Sequence, residues 1–365
     1  MNKKLIAIGI AAALAAPVAA QAGVEVYGDA RASLDFVNNN DNTSGLEDNT
    51  VSLTSNYSYI GFKGDEDLGG GLSAMWQIEQ EILFDTGNWG SDQRDTYVGV
   101  GGDFGTVLGG HVRTPYRAAT ERLDPFANTR ADYNAIIGNT GNLGGAGIPY
   151  GLFNDELRAS NVLAYMTPDM NGFSGEVAYI LSDVFTADDT LANPPGRTSA
   201  SKDKDAYSLS GSYSNGPIFV TAAYESLNKI GISAAGEDAT AWKIGGSYTI
   251  QDTTTIGGLY ENVDLGGTVG DRNAWSLSVA HKMGDTTLKA AYNGADDNST
   301  NNTGADQYSL GVSQALSKNT EVYALYTAVS NDSGAAYSLD NTPGVVTGQD
   351  MSAFSLGINH MFSSK

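Results

Sequence analysis

The sequence predicts an all-β fold, a transmembrane antiparallel β-barrel of about 16 strands forming one domain. An export signal, segments with one apolar and one polar parity, and connections that alternate between short and long together predict it. Residues 1–22 carry Lys3 and Lys4, an apolar stretch from Leu5 to Ala20 broken by Pro17, and Ala20-Gln21-Ala22 as an A-x-A cleavage pattern. The expectation is a cleaved signal peptide over 1–22 and a barrel over 23–365. The apolar stretch is short for a spanning helix, which needs about 20 apolar residues, and no later run approaches that length.

Along the rest of the chain the period is 2. In the last segment, Met351 to Phe362, residues Phe354, Leu356, Ile358 and Phe362 share one parity, against Ser355, Gly357 and Asn359 on the other. In the first, Ala30, Ala32, Leu34 and Phe36 oppose Asp29, Arg31, Ser33 and Asp35. Further strands are expected near 50–63, 71–83, 92–101, 104–112, 159–166, 172–182, 205–214, 217–227, 239–250, 253–262, 272–282, 285–294, 305–316 and 319–329. Short connections at Gly102-Asp103, Asn215-Gly216, Gln251-Asp252, Met283-Gly284 and Ser317-Lys318 suit hairpins. Long polar ones at 38–49, 183–204, 228–238, 295–304 and 330–350 alternate with them, the pattern of a barrel with turns at one membrane face and loops at the other. Tyr27, Tyr57, Tyr97, Tyr179, Tyr213, Tyr224, Tyr248, Tyr292 and Tyr326 lie near strand ends and are expected as interfacial girdle residues. A soluble sandwich would need a larger aliphatic core, whereas one parity here is rich in Gly, Ser, Thr, Asn and charge, as a water-filled lumen requires.

Composition narrows the function. With 20 Lys+Arg against 42 Asp+Glu, the net charge of −22 excludes a generic nucleic-acid binder. With no Cys, disulfides and thiolate metal sites are impossible, and with only 3 His a histidine zinc site is not expected. No catalytic, cofactor-binding or metal-binding constellation emerges, so no enzyme and no cofactor is expected.

The block Ile60-Gly61-Phe62-Lys63-Gly64-Asp65-Glu66-Asp67-Leu68-Gly69-Gly70-Gly71-Leu72-Ser73-Ala74-Met75-Trp76-Gln77-Ile78-Glu79 resembles the second and third strands of the general, trimeric Gram-negative outer-membrane porins. Tyr27-Gly28, Arg94-Asp95-Thr96-Tyr97-Val98-Gly99-Val100, Phe104-Gly105-Thr106-Val107 and Thr114-Pro115-Tyr116 extend the resemblance over the mature chain. Two positions depart from it: Tyr59 stands where the family often has Arg, and Ser363-Ser364-Lys365 follow Phe362, where the family usually ends on an aromatic residue. The resemblance implies a passive channel for small hydrophilic solutes and ions, assembled as a homotrimer in the outer membrane, with the loop after strand 5 folded into the barrel. A substrate-specific channel, a barrel enzyme and an adhesin are the alternatives.

The connection from Arg113 to Arg158 is the long segment that does not read as a surface loop. It holds Arg113, Arg117, Arg122, Arg130 and Arg158 against Glu121, Asp124, Asp132, Asp155 and Glu156, with apolar Leu123, Phe126, Ile136 and Ile137 suited to packing. The resemblance assigns it, at about 113–158, to the constriction. Carboxylates on such a loop facing arginines on the wall create a transverse field that disfavours apolar solutes. Arg94 and Arg158 resemble the family's wall arginines, and Arg31 lies on the polar parity of the first strand. Asp124 and Asp132, with Glu121 behind them, are the expected loop carboxylates; Arg113, Arg117, Arg122 and Tyr59 complete the candidate set. Ion pairing that merely pins the loop is the alternative for each. Acidic loops holding Asp41, Glu47, Asp48, Asp296, Asp297, Asp332, Asp340 and Asp350 predict weak cation selectivity, with divalent bridging to lipopolysaccharide a lesser expectation.

Overall fold

The computed structural model describes residues 23–39, 49–139, 158–181, 205–228, 238–266, 271–298, 302–340 and 346–364. The expected signal peptide lies outside the described residues, as do Asp41, Glu47, Asp48, Asp155 and Glu156. The strands are β1 (Glu25–Asn38), β2 (Asn49–Ser55 and Tyr59–Gly69), β3 (Leu72–Leu83), β4 (Asn88–Gln93 and Thr96–Gly102), β5 (Gly105–Arg113), β6 (Arg158–Met166), β7 (Phe173–Ile180) and β8 (Ala206–Asn215). They continue as β9 (Ile218–Leu227), β10 (Ala239–Ile250), β11 (Thr254–Asp264), β12 (Asp271–Met283), β13 (Thr286–Ala295), β14 (Ala305–Ala315), β15 (Thr320–Asn331) and β16 (Met351–Ser363).

Every strand pairs antiparallel with its chain neighbours, and β1 also pairs with β16, which closes the barrel. The 18 strand segments make sixteen strands because two are interrupted. Both halves of β2 pair with β1, and both halves of β4 pair with β3. At the break in β2, Tyr57 takes a φ of 56°, off the extended path, while the Asn56 amide still bonds the Arg31 carbonyl. Closure leaves no free edge, the condition for backbone polar groups to survive in hydrocarbon. Several hairpin turns sit a residue later than expected; the first of them is Asp103-Phe104, closed by the Gly102–Gly105 pair.

Burial inverts the soluble pattern. On β16 Phe354, Leu356 and Ile358 are 42%, 45% and 45% exposed, while Ala353 and Ser355 on the other parity are 1% and 0% exposed. Leu34 and Phe36 on β1 likewise face outward beside buried Ser33 and Asp35. An apolar exterior this extensive is excluded by water and matched by acyl chains. Aromatic rungs brace it: Phe36–Phe354, Tyr292–Tyr308, Tyr179–Tyr207 and Phe173–Tyr213 stand opposite one another at 6.2, 5.1, 5.3 and 4.4 Å between centroids. Each such rung contributes roughly 0.2–1 kcal/mol. The girdle expectation needs correction at three positions. The hydroxyls of Tyr27 and Tyr97 bond Glu79 and Gln77 on the lumen side, and that of Tyr57 bonds Asp340.

Apolar packing inside the barrel lies largely where the connection after β5 meets the inner wall. Leu123, Tyr133, Ile136 and Ile137 are buried with Phe219 and Leu259, and Phe126 with Tyr323 and Leu325. Two glycines make the close approach possible. A Cβ on Gly245 would stand 2.6 Å from Leu123 Cδ1, and one on Gly311 would stand 2.7 Å from the Phe126 ring. The connection after β15, expected to be an outer acidic loop, also turns inward: Ala335, Tyr337 and Leu339 are buried in the same cluster as Ile136.

Candidate pore constriction

Beyond Arg113 the chain turns into a short helix, α1 (Pro115–Ala118), whose start is fixed by Pro115 and by the Thr114 side chain accepting from the Arg117 amide. From there the segment follows the inner wall. Tyr116 N donates to Ser208 on β8, Ser278 on β12 donates to the Leu123 carbonyl, and Gln307 on β14 donates to the Asp132 carbonyl. At its far reach Arg130 donates to Asp35 on β1 at 3.0 Å, to Thr54 on β2 at 2.9 Å and to the Asp340 carbonyl at 2.7 Å. It then doubles back. One carboxylate, Glu261 on β11, accepts from the Tyr116 hydroxyl, the Gly138 amide and Arg272, each at 2.8 Å. Arg272 in turn donates to the Ile136 carbonyl at 3.0 Å. Glu261 therefore ties the start of the segment to residues more than twenty positions later, and all its partners are buried.

The wall from β1 to β6 carries Arg31, Arg94, Arg113 and Arg158. Arg31 pairs with Asp29 at 2.5 Å. Arg94 lies in the break of β4, its Nε 3.7 Å from Glu79 and its guanidinium 4.7 Å over the Tyr59 ring. Tyr59 also meets Tyr27 edge-on at 6.1 Å, so the position where the family often has Arg supplies here a ring beneath an arginine. From the wall to the loop runs an alternating chain of charges. Arg158 meets Asp95 at 2.8 Å, Asp95 meets Arg113 at 2.9 Å, Arg113 meets Glu121 at 2.6 Å and Glu121 meets Arg117 at 3.6 Å. Arg122 is exposed, its guanidinium 3.9 Å over the Phe219 ring.

Of the expected site residues, the structure joins Arg113, Arg117, Arg158 and Glu121 in one network and sets Arg94 against Tyr59. The two aspartates are placed otherwise. Asp124 accepts from the amides of Phe126 and Tyr133 at 2.8 and 3.0 Å, and Asp132 from those of Asn128 and Asn134 at 2.7 and 3.0 Å. Both are buried and shape the loop's own turns. The physical reason is local: a short carboxylate within a tightly folded segment reaches amides of the same segment before it reaches a wall. Sequence reasoning did not single out Asp29, Asp35, Glu79, Asp95, Glu261 and Arg272. Strand parity marks Asp29 and Asp35 as partners of the Arg31 face; nothing local marks Asp95, which in an unbroken strand would face away from Arg94.

A family profile described as Gram-negative porin matches residues 7–334. The chain belongs to the Gram-negative porin family. Among its relatives, outer membrane porin protein 32 of Delftia acidovorans is 26% identical over 99% of this chain and 100% of that protein. The major outer membrane protein P.IA of Neisseria meningitidis serogroup C is 32% identical over 49% of this chain, and the match spans about half of that protein, 46%. Among solved structures, an anion-selective porin from Comamonas acidovorans superposes with a TM-score of 0.72 at 22% identity, covering 94% of this chain and 100% of that one. This porin is thus an outer-membrane, multi-pass barrel, and the fold likeness agrees with the sixteen strands counted above. No helix among its described residues is long and apolar enough to cross a membrane, so its strands do the crossing.

Proposed function

We propose that the porin is a general diffusion channel, with no chemical step, passing small hydrophilic solutes and ions, and that residues 113–158 narrow its lumen. The observation that carries this reading is the charged chain Arg158–Asp95–Arg113–Glu121–Arg117, which spans from wall to infolded loop. Fixed charges of both signs beside water order dipoles and penalise apolar solutes. Arg31, Arg94 and Tyr59 complete the lining, while Asp124 and Asp132 hold the loop's shape. The family resemblance further supports a homotrimer with its outer surface against lipid and lipopolysaccharide.

Two fields of opposite sign act on a permeating ion. Asp264, Asp271, Asp296, Asp297, Asp332 and Asp350 crowd the long-loop end, whereas arginines dominate the narrowing. The Debye length is roughly 30 Å at 0.01 M salt and 3 Å at 1 M, so the mouth acts at a distance only in dilute salt. The channel therefore prefers cations weakly in dilute salt and loses that preference as salt rises. Planar-bilayer recording of the purified protein tests both claims. Stepwise conductance with a cation-biased reversal potential at low salt is expected; a folded barrel that does not conduct overturns the channel reading, and anion bias at low salt overturns the selectivity.

A further inference from the structure

We infer that Asp95, set in the break of β4, is a positioning residue that keeps the arginines of the narrowing from overriding the mouth's cation preference, by compensating two of them at once; the inference rests on the channel reading above. In a continuous strand, neighbouring side chains point to opposite faces. The interruption between Asn88–Gln93 and Thr96–Gly102 lifts that rule. Arg94 and Asp95 are consecutive, yet both meet lumen-side groups: Arg94 meets Glu79 and Tyr59, and Asp95 meets Arg113 and Arg158. A further bond from the Arg113 amide to Asp95 Oδ1 at 3.2 Å locks the carboxylate at the strand pair that launches the loop.

The arrangement of exposure shows what Asp95 does. Its side chain is 9% exposed and that of Arg158 3%, but Arg113 is 39% and Glu121 29% exposed. Asp95 lies behind Arg113, with Arg158 deeper still, so it acts on ions through the field of Arg113 and does not bind ions itself. The chain holds three guanidiniums and two carboxylates. Nearby, Arg94 Nε and Arg31 Nη1 have no hydrogen-bond acceptor among the described residues. With Asp29 and Glu79 beside Arg31 and Arg94, the set is five arginines against four carboxylates; removing the Asp95 charge leaves three and turns a nearly balanced wall into a cationic one. Glu176, which faces the same groups from β7, remains in place.

The test is Asp95→Asn in planar bilayers at 0.1 M salt. One added charge felt at about 8 Å through water shifts a monovalent cation and an anion roughly 2.4-fold each, in opposite directions, which changes their permeability ratio roughly fivefold. The cation-to-anion permeability ratio is expected to fall by about that factor while unitary conductance keeps its order of magnitude. Asp95→Glu should retain the original ratio, and Asp95→Asn with Arg158→Gln should restore it, because charge and not packing is read. An Asp95→Asn channel that conducts with the original ratio overturns the inference and leaves the channel reading intact. If Asp95→Asn fails to fold, Arg158→Gln alone decides: a raised ratio supports the inference and an unchanged one overturns it. Absence of conductance in the unmodified protein overturns the channel reading and the inference together.

Discussion

Arg130 is the remote pin of the infolded loop, and replacing it by Met is expected to destabilise the barrel by about 3–5 kcal/mol. The magnitude follows from what remains behind. Arg130 is 5% exposed and its partner Asp35 0% exposed, at 3.0 Å. Met fills much of the space but leaves Asp35 as a buried charge without its cation, and two further bonds, to Thr54 and to the Asp340 carbonyl, disappear. Replacing both members of a buried pair by neutral groups costs far less than removing one. Asp35→Asn in the Arg130→Met background should therefore recover most of the loss, with a coupling of at least about 2 kcal/mol. The assay is urea unfolding of the refolded protein in lipid, for the two single variants and the double. A single-variant loss under about 1 kcal/mol, or additive losses in the double, would refute the reasoning that this buried pair holds the loop.

Two further outcomes follow from the same geometry. Ile78 is 50% exposed on the outer parity of β3 while Gln77 beside it faces the lumen, bonded to Glu79; Ile78→Arg should cost about 2–4 kcal/mol of folding stability in a bilayer, and Gln77→Arg less than about 1. Equal costs in the urea assay would mean the faces are assigned wrongly. In the loop after β13, amides of Thr303 and Gly304 at 2.7 and 2.9 Å hold the Asp297 carboxyl below the usual carboxylate range. A depressed folded value stabilises the loop above the unfolded value and loses that contribution as pH falls through the folded one. Hydrogen exchange at the Thr303 and Gly304 amides should accordingly stay slow from neutral pH to near 5 and lose relative protection only in stronger acid; loss of protection between pH 7 and 5 would contradict it.

The strands were legible because each carries its face in its period. Ser355 and Leu356 differ by one position, and that position decides lumen or lipid. Two features escaped this rule. Residues Asn56–Ser58 and Arg94–Asp95 lie inside otherwise regular alternation, and no Gly or Pro announces that the strand stops pairing there. The loop charges were legible as a set but not in their roles. Glu121 reaches wall arginines, whereas Asp124 and Asp132 bond their own backbone, and a list of charges at given spacings does not distinguish the two.

By itself the sequence determined the export expectation, the strand count and the faces of the first and last strands, because those follow from local period and connection length. The long, apolar and charge-balanced segment after β5 stood out by composition, but its inward turn was an expectation from the family resemblance, not from local period. Only the tertiary structure decided which polar and charged groups meet inside the barrel. Arg130 with Asp35, Tyr116 with Glu261 and Arg158 with Asp95 lie 95, 145 and 63 positions apart. Such pairs form where closing the barrel brings distant strands to one height, and that closure is a property of all sixteen strands together, not of any segment.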